Sequence, residues 1–168
     1  MATSKILIAD DSDLIRASMR ALFASRETWT ICGEASDGQQ VVTMAEELKP
    51  DLIVLDLAMP LMTGLRAAAE ILKKQPELPI ILYTMHESKQ IDLEAKKAGI
   101  RKVIAKSDST DILLRSIEEL LAQKSSVPAL PVVMAEPQPP AEPQISVEQL
   151  AEKPADPGTT AEEPAQEN

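Results

Sequence analysis

The sequence predicts an α/β fold: a three-layer sandwich around a parallel five-stranded sheet. Three observations carry this. Short apolar runs alternate five times with longer segments of helical period between residues 5 and 124. Several runs are too continuously apolar for a half-exposed strand, so both sheet faces must be covered. Capping and breaking residues fall at the junctions.

Taken in order, Ile6-Leu7-Ile8-Ala9 marks a strand over 5–9, and Ser12 is placed to cap the helix that follows. In that helix Leu14, Ile15, Met19, Leu22 and Phe23 recur on one face, a core stripe. A second strand spans 29–35 and contains Cys32, the sole cysteine, read as a small core-filling hydrophobe. Asp37 caps the second helix and Pro50 stops it; Leu52-Ile53-Val54-Leu55 then defines a strand over 51–55. A fourth strand covers 79–83, Gly99 ends the next helix, and a fifth strand covers 101–105. Ile112, Leu113, Ile117, Leu120 and Leu121 form the last core stripe. Five βα units with right-handed crossovers give a doubly wound sheet, for which the order 2-1-3-4-5 is expected.

The net charge of -10 is unevenly placed. Residues 1–124 hold 16 Lys plus Arg against 19 Asp plus Glu, whereas 125–168 hold 1 against 8. The latter segment also has nine of the thirteen prolines and no aromatic residue, too little apolar surface to offset the entropy of ordering. The expected organisation is a domain over 1–124 and a disordered acidic tail over 125–168. Within the tail, Val147, Leu150 and Ala151 have helical spacing; incidental hydrophobes in a solvated tail are preferred there to a docking motif. No basic stripe favours a nucleic-acid partner. No secretory signal or membrane-spanning run is seen, so a soluble, cytoplasmic chain is expected.

Chemistry concentrates just past the strand ends, at Asp10, Asp11, Asp56, Thr84 and Lys106. A parallel sheet gathers these ends at one edge, where α/β folds place ligand sites. Three carboxylates crowded into one crevice require a cation, and oxygen-only donors suit Mg²⁺ rather than zinc. A divalent cation together with the Lys106 ammonium balances the three negative charges, so a phosphoryl group can approach. Asp56 stands alone on its strand end and is the nucleophile candidate, leaving Asp10 and Asp11 for metal; Thr84 offers a hydroxyl to a phosphoryl oxygen. Any one of these residues alone reads as a helix cap or a solvated charge. The five together do not.

Asp10-Asp11, Asp56-Leu57-Ala58-Met59-Pro60 with Gly64, Thr84 and Lys106 resemble the signature of the response-regulator receiver domain of two-component signalling. The resemblance spans roughly residues 5–124. It implies a flavodoxin-like (βα)5 fold and Mg²⁺ held by Asp10, Asp11, Asp56 and the backbone carbonyl of Ala58. It further implies phosphoryl transfer to Asp56 from a sensor histidine kinase or phosphotransfer protein, and slow self-catalysed hydrolysis, with no other enzymatic turnover. Thr84 then moves toward the phosphate and repacks the face of the fourth helix, fifth strand and fifth helix.

This chain departs from the family pattern at Val103, where relatives often carry a gating aromatic ring, at Met85, where a small residue is usual, and at Ser107, where many have proline. Ala58 cannot hydrogen-bond an attacking water, so a phosphorylated form lasting minutes or longer is expected unless His86 orients that water; an exposed loop histidine with no role is slightly preferred. Only the tail follows Lys124, so output by contact with a downstream protein is expected. A homodimer through the helix 4 to helix 5 face stays open. So does docking of the acidic tail on Lys96, Lys97, Arg101 and Lys102. Two alternatives remain: a receiver-like scaffold that is never phosphorylated, and an aspartate-nucleophile phosphohydrolase. The latter is disfavoured because its second aspartate is replaced by Ala58.

Overall fold

The computed structural model describes residues 3–125. Five strands, β1 (Ser4–Ala9), β2 (Trp29–Ala35), β3 (Leu52–Leu55), β4 (Ile80–Thr84) and β5 (Lys102–Ala105), alternate with α1 (Asp13–Phe23), α2 (Gly38–Leu48), α3 (Gly64–Lys74), α4 (Lys89–Ala98) and α5 (Thr110–Ser125). The sheet is parallel throughout, in the order β2-β1-β3-β4-β5, as the sequence predicts. No helix among the described residues is long and apolar enough to cross a membrane. The expected tail, beyond Ser125 at the end of α5, lies outside the described residues, as do its 145–153 segment and its proposed docking.

Strand side chains alternate between faces, and here both faces are buried. Leu7, Ala9, Ile53, Leu55, Ile80 and Leu82 face a core completed by Val41 and Ala45 of α2, Ala67, Ala68 and Ile71 of α3, and Ala95 of α4. Ile6, Ile8, Leu52, Val54, Ile81 and Tyr83 face the opposite core, with Met19 and Phe23 of α1 and Leu113, Ile117 and Leu120 of α5. Three helices therefore cover one face and two the other.

Several expected roles change. Leu14 and Ile112 are exposed, 74% and 46%, because each faces away from the side on which its neighbour, Ile15 or Leu113, meets the core, so neither belongs to a core stripe. Ser12 occupies the N-cap position of α1, yet its hydroxyl caps nothing. Asp37 does cap α2, accepting N–H bonds from Gln39 and Gln40 at 2.9 and 2.8 Å. Cys32 is half-buried at an irregularity in the β1–β2 register, where Ile6 pairs with Ile31 but Leu7 with Gly33; its Sγ donates to Ile6 O at 3.5 Å.

At the amino edge of the sheet, the Asp51 carboxylate accepts from Lys5 N at 2.9 Å and Lys124 Nζ at 2.8 Å, joining β3, β1 and α5. At the carboxyl edge, the turn between β3 and α3 depends on a close approach: a Cβ on Gly64 would lie 2.0 Å from Asp56 O. Gly38 meets the same turn, with Met62 O 2.1 Å from where its Cβ would be.

Gly64→Ala is therefore expected to lower the unfolding free energy by about 1–3 kcal/mol through overpacking, measured by urea titration; unchanged stability would refute the contact. Burial raises the Asp51 pKa, but its hydrogen bond from Lys124, with the contributions of Lys5, outweighs burial and the net direction is down. A carboxyl whose folded pKa is depressed stabilises the fold above its unfolded value and loses that contribution as pH falls through the folded one. Asp51→Asn should thus melt a few degrees below wild type at neutral pH, and the gap should close below about pH 4.

Candidate functional site

The predicted residues converge because their strands are neighbours. Asp10 follows β1, Asp56 follows β3, Thr84 closes β4 and Lys106 follows β5, all at the carboxyl edge. Backbone bonds fix them in place: Asp10 N donates to Ala35 O at 3.1 Å, Asp56 N to Ala9 O at 2.8 Å, and Lys106 N to Thr84 O at 2.7 Å. The candidate site residues are thus set by the ends of the sheet ladder itself.

Asp10 is 0% and Asp56 4% exposed, a costly placement for two carboxylates without a partner. Lys106 supplies it. Its Nζ lies 2.6 Å from Asp10 Oδ2 and 3.0 Å from Asp56 Oδ1, so one buried ammonium bridges both acids. Their second oxygens take backbone donors: Ser12 N to Asp10 Oδ1 at 3.0 Å, and Ala58 N to Asp56 Oδ2 at 3.1 Å. Burial pushes the Asp56 carboxyl above its ordinary pKa against the pull of Lys106, and the Asp10 charge adds to the rise. For Lys106, burial disfavours the ammonium, but the closeness of Asp10 and Asp56 outweighs it and the net shift is upward.

Asp11 is exposed, and oxygens of Asp10, Asp11 and Asp56 lie within 4.8 Å of one another. This cluster has the composition of a hard-cation site: three carboxylate oxygens, no imidazole and no thiolate. Asp10 Oδ2 adds a further sign of fit. The ammonium approaches it off the hydrogen-bonding direction, so this buried oxygen has charge contact but no directed hydrogen bond.

Thr84 is buried, and its Oγ1 accepts the His86 N–H at 3.1 Å, which uses an acceptor site and not the hydroxyl proton. His86 is exposed at the rim. Met85 is 69% exposed and so does not seal the site. Val103 packs against the core on the α4 side, where its branched side chain fills space without an aromatic ring. Of the expected basic patch, Lys96 and Lys97 are exposed, while Arg101 pairs with Glu77 at 3.5 Å and Lys102 with Glu119 at 2.5 Å.

One participant escapes the sequence reading. Arg16 donates from Nη1 to the backbone oxygen of Asp10 at 2.6 Å. Its only sequence signal is a cation one turn into a helix, against the dipole.

A profile of the family described as the response regulator receiver domain matches residues 6–118. Among curated proteins, the transcriptional regulatory protein YdfI of Bacillus subtilis is 34% identical over 115 residues, 68% of this chain and 54% of YdfI. The transcriptional regulatory protein PdtaR of Mycobacterium tuberculosis is 35% identical over 126 residues, 75% of this chain and 60% of PdtaR. The chain thus spans roughly half to three fifths of the length of these relatives. Among solved structures, that of a two-component response regulator of the LuxR family from Aurantimonas sp. SI85-9A1 superposes with a TM-score of 0.70 at 30% identity, covering 73% of this chain and 87% of that one. Two thirds of the sequence and the whole described fold lead to one assignment: the chain belongs to the response regulator receiver domain family.

Proposed function

We propose that this protein is a two-component response regulator that accepts a phosphoryl group on Asp56 from a sensor histidine kinase or phosphotransfer protein, in a Mg²⁺-dependent reaction in the cytoplasm, and signals by protein contact. The observation that carries this reading is the buried Lys106 ammonium bridging Asp10 and Asp56 beside a third carboxylate, Asp11. A purely structural ion pair would need no third acid.

Asp10, Asp11 and Asp56 would hold Mg²⁺, with the Ala58 carbonyl as a further ligand. When bound, the cation neutralises charge on the phosphoryl oxygens and on the attacking carboxylate. An Asp56 oxygen attacks phosphorus in line; the new O–P bond forms as the P–N bond to the donor imidazole breaks, and the imidazole leaves with that electron pair. Lys106 remains paired with the developing negative charge, and Thr84 donates its hydroxyl proton to a phosphoryl oxygen. Because Thr84 Oγ1 is already bonded to His86 N, its movement toward the phosphate carries the segment between β4 and α4 with it. That segment is the route from site to surface. Val103 takes no part as a gating ring.

Incubating the chain with a small phosphodonor and Mg²⁺ should add one phosphoryl group by mass, and Asp56→Ala or removal of Mg²⁺ should abolish the gain. No gain in wild type would favour the unphosphorylated scaffold; a gain that survives in Asp56→Ala would move the acceptor elsewhere. Ala58 cannot position water, so the phosphorylated form should last minutes or longer. Strongly slower decay in His86→Ala would assign the water to His86, whereas rapid decay in both proteins would overturn the expectation.

A further inference from the structure

Arg16 lies in α1 one turn from its N-terminus, where a positive charge opposes the helix dipole, yet its side chain is only 14% exposed. Each of its three guanidinium nitrogens has a partner. Nη1 donates to Asp10 O at 2.6 Å, Nη2 pairs with Asp13, and Nε lies 3.4 Å from Glu34 Oε2 on β2. Glu34 is itself braced, because the same oxygen receives Arg20 Nη1 at 2.6 Å.

The oxygen that Arg16 grips belongs to the peptide joining Asp10 to Asp11. That unit is planar, so fixing its oxygen fixes the plane from which the Asp11 chain continues. Asp10 has other restraints: its N–H is held by Ala35 O, and its carboxylate by Ser12 N and Lys106. The exposed Asp11 carboxylate has no such brace among the described residues, so its approach to Asp10 and Asp56 depends on the backbone that carries it.

We propose that Arg16 is a positioning residue for the cation site: its guanidinium clips the Asp10–Asp11 peptide to β2 through Glu34 and sets the direction in which the Asp11 carboxylate enters the cluster. The inference rests on the Mg²⁺ reading given above and extends it to a residue that touches no ligand. Its sign separates it from simple electrostatics. Removing a cation from beside a cation site should strengthen Mg²⁺ binding, whereas removing a clip should weaken it.

The test is calorimetric titration of the full chain with Mg²⁺ alone, with the thermal unfolding midpoint measured alongside. Arg16→Ala should weaken binding about tenfold, the lower end of the loss when a group that orients a metal ligand is removed. Arg16→Lys keeps the charge but cannot reach three acceptors in one plane, and should also weaken binding. Glu34→Gln, outside the site, should weaken it less and add nothing to Arg16→Ala, because the two act through one contact. Binding in Arg16→Ala equal to or tighter than wild type overturns the clip and leaves the phosphoacceptor reading intact. A wild type that takes up no Mg²⁺ overturns both. If Arg16→Ala lowers the unfolding midpoint, the double variant decides: weakening by Glu34→Gln that vanishes in the Arg16→Ala background supports the clip, and weakening of equal size in both backgrounds, or none in either, refutes it.

Discussion

The constraint on which this molecule depends is the placement of two carboxylates in largely buried positions. Asp10 and Asp56 end adjacent strands and are almost fully buried, and such charges persist only when paired. Lys106 pairs both from a strand two positions beyond β3 in the sheet order, so β1, β3 and β5 meet in one charge contact. Thr84 on the intervening β4 is tied to the same point through its carbonyl and Lys106 N. The chemistry and the register of the sheet therefore constrain each other.

Around this contact the fold separates two tasks. The two cores, one beneath α2, α3 and α4 and the other beneath α1 and α5, take up the alternating apolar residues and hold the strands rigid. At the carboxyl edge Asp10, Asp56 and Lys106 follow the strands and are anchored by backbone bonds to their neighbours. A sheet buried on both faces beneath polar loops is the arrangement on which the proposed movement of Thr84 would leave the cores undisturbed.

Much of this was legible in the sequence, and the reasons are specific. The strands and the convergence of Asp10, Asp56, Thr84 and Lys106 at one edge followed from the apolar runs, because doubly buried strands have an unmistakable composition, while the order followed from the doubly wound fold class. The exposure of Leu14 and Ile112 did not follow: helical spacing identifies an apolar face but not where its margins lie. Capping by Asp37 was readable, while at Ser12 residue type and position misled because the hydroxyl makes no cap bond. Arg16 stayed hidden because its partners, the Asp10 carbonyl and Glu34, are brought together only by the β1–β2 pairing.

The turn after β3 is shaped by the absence of side chains at two points. Gly64 presses against the Asp56 carbonyl and Gly38 against that of Met62, so backbone meets backbone where most loops rely on side-chain contacts. Leu61, in between, is 82% exposed and holds a left-handed φ of 65°. The loop's shape is thus inherited through its glycines. An outward side chain such as that of Leu61 can therefore change in size or charge without pressing on the backbone that carries Asp56.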